Sequence, residues 1–416
     1  MSEFQVCDPE SLKCMHSSQF RNFPKQCNTP DFEPVMAKPS EVTQDTARTM
    51  AMKGGGYYSQ RTRGAKDVID NASEMLVEAA DAIDPPDKGR AIVLADFGAA
   101  DGGTSESALR KCIERVRMRF SDVQIQVSYT DLPSNDFSAL FKNLLGFGSL
   151  TANTYLTDIE NVYVNACGIG FHKQLLPDAS LDIGFSATAM HYISEKPCPI
   201  ENHVHMVGAS SNTLAAYAAQ AQKNWDDLLL ARANELRPSG QLVMLNFGID
   251  EEGRYLGNTG GVNMFDTFAN LWTQMRDEGV ISSDEFINTA FPQYYRTVEE
   301  FCAPFKNEDS QVYQAGLRLV SAQTGVVKCP YRKAYEESDG AMSAREFAQS
   351  YIPTLRSWSE AVFLSGLDDA RPLEQRHRIV DDFYKRYEDR VASDPDGHAM
   401  DYVHCYLAVR KIADQS

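Results

Sequence analysis

The sequence predicts an α/β fold, a doubly wound and mostly parallel sheet with a helical cap, and three observations carry that prediction. Short apolar runs alternate with helical periodicity between residues 91 and 247, as in successive βαβ units. The first two runs, residues 91–96 (AIVLAD) and 123–130 (VQIQVSYT), deliver an acid at their ends, Asp96 and Asp131. The first is followed at once by a glycine-rich turn, Phe97-Gly98-Ala99-Ala100-Asp101-Gly102-Gly103-Thr104, where such sheets bring bare backbone up to a ligand.

The elements follow in order. Residues 1–48 hold Pro24, Pro30, Pro34 and Pro39 among many polar residues without periodicity, and read as a flexible N-terminal tail; residues 49–416 are expected to form the domain. Residues 67–83 place Val68, Ala72, Met75, Leu76 and Ala79 on one helical face, and Asp84-Pro85-Pro86-Asp87-Lys88-Gly89 breaks that helix. A helix is expected over 105–120, strands over 162–166, 181–185 and 241–247, and a helix over 225–236 stopped by Pro238-Ser239-Gly240. Residues 402–409 (YVHCYLAV) read as a closing strand that can run antiparallel. Segments at about 200–225, 250–312 and 335–365 do not fit the sheet and are expected to cap its C-terminal edge.

Composition narrows the function classes. The 416 residues are 43% hydrophobic and 24% charged, ordinary for a globular protein with a sizeable core. The 58 acidic and 40 basic residues give a net charge of −18, which argues against nucleic acid and anionic membrane as partners. No run approaches the about 18 apolar residues of a membrane-spanning helix, and MSEFQVCDPESLKC lacks the layout of a secretory signal. Nine scattered cysteines without a CxxC fit free thiols in a cytoplasmic protein. His203 and His205 alone fall short of a zinc ligand set, and no metal is expected.

The turn does not meet the dinucleotide fingerprint GxGxxG, since its glycines are Gly98, Gly102 and Gly103. Asp96, two residues before the first glycine, would repel phosphates and suits a ligand with a positive group. Asp131 is placed to take two ribose hydroxyls. An adenosine with a cationic tail and no phosphates describes S-adenosylmethionine. The competing reading is a generic tight turn whose acid caps the following helix.

Five segments, in order and spacing, resemble the SABATH family of S-adenosylmethionine-dependent carboxyl methyltransferases, which act on salicylate, benzoate, jasmonate and related acids. Met52-Lys53-Gly54-Gly55 with Tyr58 and Thr62 is similar to the family's N-terminal segment, and residues 92–105 (IVLADFGAADGGTS) to its cofactor turn. Residues 131–141 (DLPSNDFSALF) match D-L-P-x-N-D-F-N-x-L-F closely, and residues 168–194 parallel the stretch that ends in its His-Trp pair. Residues 228–244 and 291–301 match its fifth-strand approach and a cap segment. The resemblance is good from residue 50 to about 310 and weak elsewhere.

It implies a Rossmann-like class I methyltransferase sheet of seven strands, S-adenosylmethionine as cofactor, a small carboxylic acid as substrate and a homodimer. Tyr58, Thr62, Asp96 and Gly98 would line the cofactor pocket, Asp131 and Leu132 would hold ribose and adenine, and Gly170 and Phe171 would stand beside the adenine. His191 and Tyr192 fall on the His-Trp pair of the acceptor pocket, where either would fix one carboxylate oxygen. The family's carboxylate-holding glutamine falls on Ala65, its tryptophan on Tyr192, and its Ser-Ser-Tyr-Ser run on Ser186-Ala187-Thr188-Ala189. The acceptor site therefore diverges, which points to a non-plant member. Lys53, Arg61, Arg63 and Lys66 lie near the lost glutamine, so one of them is expected to contact the carboxylate or a second acid group; the competing reading is a solvated basic helix face. Phe265, Phe268, Trp272, Tyr294 and Tyr295 are expected to pack the cap.

The expected function is methyl-ester formation on a small, aromatic or dicarboxylic acid. A carboxylate is ionised at neutral pH and needs no general base. N-methylation of a heterocycle is the alternative within the family, and a nicotinamide-dependent oxidoreductase or a non-catalytic sensor are alternatives of other classes.

Overall fold

The computed structural model describes Thr43, Thr46, Thr49, Met50, residues 62–148 and residues 153–413. Its strands are β1 (Ile92–Phe97), β2 (Ile125–Thr130), β3 (Val162–Cys167), β4 (Leu181–Ala187), β5 (Leu236–Ile249), β6 (Arg296–Thr297), β7 (Leu317–Val327) and β8 (Tyr402–Lys411). Seven of them form one path in the order β3–β2–β1–β4–β5–β8–β7, and the two-residue β6 pairs with β5 beside it. β1 is parallel to β2 and β4, β2 to β3 and β4 to β5, whereas β8 runs antiparallel between β5 and β7. This is the expected mostly parallel sheet with one short strand added. β1 and β4 are buried almost throughout, which is why they read as continuous apolar runs.

The chain leaves β1 for β2 and β3 on one side and returns to β4 on the other. That reversal opens a crevice at the carboxyl ends of β1 and β4, the place where such sheets bind ligands.

The longer helices are α1 (Arg63–Asn71), α2 (Ser73–Ala82), α3 (Glu106–Arg119), α4 (Ser211–Glu235), α5 (Met264–Asp277), α6 (Ala344–Gly366) and α7 (Leu373–Ser393). Several differ from expectation for identifiable reasons. The helix expected over 67–83 is two helices broken at Ala72, whose N–H turns back to Ile69 and Asp70; the break lets Val68 and Ile69 bury in one piece and Leu76, Ala79 and Ala80 in the other. Residues 211–224, expected in the cap, continue without interruption into the helix expected at 225, because good helix formers and no breaker separate them. The lower half of α4 buries Trp225, Leu228 and Leu229 with Leu242 and Met244 of β5.

β5 begins at Leu236, ahead of Pro238-Ser239-Gly240, because a register irregularity between Leu181 and Ile183 of β4 accommodates the proline. β7 has no apolar run: it is an edge strand, mostly half-exposed beyond Leu317. α7 extends the helical region beyond residue 365, burying Phe383 against Phe363 at 4.2 Å and Trp272 at 5.3 Å. No helix among the described residues is long and apolar enough to cross a membrane.

Candidate active site

β1 ends at Phe97 and the chain turns sharply. Gly98 has φ +83°, and a Cβ there would lie 2.5 Å from the Cβ of Ala189, so the turn and the residues beyond β4 approach too closely for a side chain. Gly98 and Ala99 donate their N–H groups to the Thr130 carbonyl at 2.9 and 3.1 Å, tying the turn to the end of β2. Ala100, at φ +49°, is pinned from both sides: Asp131 Oδ2 accepts its N–H at 2.7 Å and Asn135 Nδ2 donates to its carbonyl at 2.8 Å. The other Asp131 oxygen accepts the Leu132 N–H at 2.7 Å. Burial lifts the Asp131 carboxyl above its ordinary range, and these two N–H donors oppose the lift.

These groups border a cavity of about 830 Å³ walled by Gly98, Ala99, Ala100, Asp131, Leu132 and Phe171, with Met50, Ala65 and Ile69 opposite. The cavity suits an adenosine. Leu132 and Phe171 offer apolar faces, each Asp131 oxygen keeps a lone pair for a hydroxyl, and no Lys or Arg for a phosphate is in its wall among the described residues. Phe171 is held from behind by a fully buried pair. Arg232 donates to the carbonyls of Phe171 and Lys173 at 2.8 Å each, lies 4.2 Å over the Phe97 ring, and is joined to Glu235 at 2.6 Å. Glu235 in turn accepts the N–H groups of Leu175 and Leu176.

Two expected cofactor contacts sit elsewhere. Asp96 is 2% exposed and does not line the cavity: it lies beneath the turn, accepting the Ser105 hydroxyl at 2.6 Å where α3 begins. Burial, reinforced by the Asp131 charge and opposed by Ser105, raises its carboxyl to about 7. Asp96 is therefore neither a counter-ion in the cavity wall nor a cap for a helix N–H; it is a buried partner of the Ser105 hydroxyl. Gly170 also lies off the cavity, its carbonyl accepting the Lys173 N–H, and leaves Phe171 as the contact. Gly98, Asp131 and Leu132 line the cavity.

A second, smaller cavity of about 320 Å³ adjoins the first, and Thr188 and Tyr192 border both. Thr62, His191, Phe247, Trp358, Met400 and Tyr402 complete its wall. Thr62 thus lines this chamber and not the larger cavity. His191 is 1% exposed, and neither ring nitrogen has a hydrogen-bond partner among the described residues. Burial, aided by His404, His205 and Arg296, drives its pKa well below the usual imidazole range, so the ring is neutral at physiological pH. It packs 4.7 Å from Tyr192 and 4.9 Å, edge-on, from Phe247. The His191–Ile193 backbone is fixed by bonds to Pro292 and Tyr294 and by the Tyr192–Gln293 bridge.

Lys66 does not reach either cavity. It stands on the outer face of α1, paired with Asp70 at 2.6 Å and Ser107 at 3.2 Å, because the inner face is taken by Ala65, Val68 and Ile69. Arg63 is exposed on the same helix, so the solvated-face reading holds for both. Lys53, Tyr58 and Arg61 lie outside the described residues. Phe265, Phe268, Trp272, Tyr294 and Tyr295 line neither cavity; Phe265, Phe268 and Trp272 pack among Phe291, Trp358 and Phe383.

Phe247, Trp358, Met400 and Tyr402 are chamber residues that sequence reasoning missed. Three of the four lie where the resemblance is weak, and no local motif marks them. Asn135 carried a readable signal, being part of DLPSNDF.

Comparison with known proteins shows the family and the fold. Residues 47–412 match the family model described as SAM dependent carboxyl methyltransferase. Loganic acid O-methyltransferase of Catharanthus roseus is 25% identical over 273 residues, 60% of this chain and 70% of that protein. Salicylate carboxymethyltransferase of Clarkia breweri is 23% identical over 359 residues, 83% and 92% of the two chains. Among solved structures, loganic acid methyltransferase with SAH superposes with a TM-score of 0.67 at 20% identity, covering 88% of this chain and 99% of that one. With a family match over nearly the whole described domain, the chain belongs to the SAM-dependent carboxyl methyltransferases, enzymes that pass a methyl group to a carboxylate.

Proposed function

We propose that this enzyme esterifies a small, largely apolar monocarboxylic acid. One observation carries the reading: the chamber beside the cofactor cavity is aromatic and uncharged among the described residues, yet presents a neutral His191 with two unpartnered nitrogens. S-adenosylmethionine supplies a methyl group on a sulfonium sulfur, which leaves as a thioether when a nucleophile takes the methyl. The chain's own contribution is to hold and dehydrate the acceptor. The carboxylate arrives ionised, so no side chain has to remove a proton. Phe247, Trp358 and Tyr402 exclude water, which favours a step in which opposite charges cancel. Holding the acceptor beside the donor contributes most, with effective molarities on the order of 10⁵ M or more for well-oriented partners. His191 donates one hydrogen bond to the acceptor and so selects which oxygen faces the shared wall. The missing cation in the described wall disfavours the dicarboxylic option, since a second buried carboxylate would be uncompensated.

The test is methyl transfer from labelled S-adenosylmethionine to matched aromatic and aliphatic mono- and dicarboxylic acids, with the label then exposed to mild base. Base-labile label on monoacids is the expected outcome. Base-stable label, or a preference for the diacids, would overturn the reading.

A further inference from the structure

The resemblance puts the family's carboxylate-holding glutamine at Ala65, which is a buried apolar part of the larger cavity's wall. A buried carboxylate with only one hydrogen bond would be poorly satisfied. The wall shared by the two cavities offers a hydroxyl. Thr188 follows β4 with φ +56°, a conformation that β-branched residues rarely hold. Its N–H is locked onto the Leu245 carbonyl at 2.7 Å, which keeps its side chain at the seam. The hydroxyl oxygen lies 3.0 Å from Nε2 of His404, a fully buried residue of β8 whose ring packs 4.4 Å from Phe247.

The partners of His404 decide where the Thr188 proton points. His404 Nδ1 has no partner among the described residues. With the ring proton on Nδ1, an N–H would be stranded in the core. With it on Nε2, only a lone pair is stranded, and buried N–H groups without partners are the rarer case. In the Nε2–H form His404 donates to Thr188, and the hydroxyl proton must turn away from the imidazole toward the cavities. Desolvation holds His404 neutral, at about 3, so the arrangement does not change across the working pH range.

We infer that Thr188, oriented by His404, is the second hydrogen-bond donor to the acceptor's carboxylate and takes over the role of the missing glutamine. The inference rests on the carboxyl-acceptor reading above. Thr188 is the contacting group and His404 a positioning residue that acts only through it. Together with His191 it gives the carboxylate two neutral donors from different segments, which fixes the plane of the carboxylate as well as its position.

The experiment uses the full chain, tritiated S-adenosylmethionine and a panel of benzoate, cinnamate, indole-3-acetate and octanoate. For the best acid, Thr188→Val, which keeps the β-branch, should lower kcat/KM about 10- to 100-fold, the range for a lost hydrogen bond to a charged group, mostly through KM. Affinity for S-adenosylhomocysteine should stay within about twofold, and Thr188→Ser should recover most of the loss. His404→Phe should be harmful alone but add nothing to Thr188→Val. Ring ¹⁵N spectra, with the His404 signals assigned by their loss in His404→Phe, should show the Nε2–H form with or without a substrate. An unchanged KM in Thr188→Val, additive effects in the double variant, or an Nδ1–H tautomer would each overturn the inference. A wild type that binds S-adenosylhomocysteine but forms no ester from the panel would instead sink the reading beneath it, an outcome seen in a separate arm.

Discussion

Asp96→Asn probes the buried acid beneath the cofactor turn. The Asn oxygen can still accept the Ser105 hydroxyl, so the substitution removes the charge and keeps the contact. In the folded protein Asp96 titrates at about 7, because burial outweighs the Ser105 hydrogen bond; in the unfolded chain it titrates near 4. The folded state therefore holds the proton more tightly. The stability this confers is complete below the unfolded value and is lost as pH rises through the folded one. Across the whole window the loss is on the order of 4 kcal/mol, of which about 2–3 kcal/mol falls between about pH 5 and pH 8. The raw pH profile will not show this, because the buried neutral histidines His191, His205 and His404 act in the opposite direction. Their folded values are depressed, so they cost stability as pH falls below about 6.5. The difference between wild type and Asp96→Asn cancels the histidines. Its expected form is a variant that gains about 2–3 kcal/mol on the wild type between about pH 5 and pH 8, roughly 3 °C in Tm for a chain of this size. Calorimetry of both proteins at matched ionic strength measures it. A difference that stays flat with pH, or slopes the other way, would refute the placement of Asp96 as a buried, reluctantly ionised group.

Three further outcomes follow from the site. Arg232→Met leaves Glu235 charged and unpaired in the core and should cost about 3–5 kcal/mol in urea unfolding. Adding Glu235→Gln, which removes the charge and still accepts the Leu175 and Leu176 N–H groups, should restore part of that stability but not S-adenosylhomocysteine affinity, because the Phe171 carbonyl has lost its tether. Lys66→Glu, on the solvated face of α1, should leave KM for the best acid within about twofold, against the expectation that this lysine binds substrate. Trp358→Ala opens the small chamber and should shift relative kcat/KM toward bulkier acids by about tenfold, measured by competition between a short and a long acid.

The two cavities differ in how far the sequence exposes them, and the reason is chain distance. Half of the larger cavity's wall comes from one βαβ unit: Gly98, Ala99, Ala100, Thr104, Asp131, Leu132, Ser134 and Asn135 fall within 38 residues. Strand ends and a glycine turn announce that unit locally, and register then brings Phe97 level with Thr130. The smaller chamber instead draws on Thr62, the 188–192 segment, Phe247, Trp358, Met400 and Tyr402. No period or spacing links those positions, because the sheet order and the antiparallel insertion of β8 bring them together. Asp96 shows the converse error. Its sequence position beside the turn was informative, but strand alternation and burial point its carboxylate under the loop, toward Ser105. Lys66 was misplaced because charge near a motif says nothing about which side of a helix it occupies.

On the proposed reading, a chamber whose described wall offers neutral donors and no fixed charge selects its acceptor by ionisation state. An alcohol would need its proton removed, and the described wall holds neither a carboxylate nor a basic imidazole to take it, His191 being held neutral with its pKa driven down by burial. A dianion would bring one charge for the methyl donor to cancel and a second with no partner, and leaving a charge unpaired in an apolar site costs several kcal/mol. A monocarboxylate meets neither obstacle. It enters already charged, two neutral donors suffice to orient it, and reaction removes the only charge the chamber has to bear. The same reasoning gives both donors one expected signature. Loss of either should weaken acid binding, but neither should introduce a new pKa into the pH profile of kcat/KM, because burial keeps His191 neutral and the Thr188 hydroxyl does not titrate.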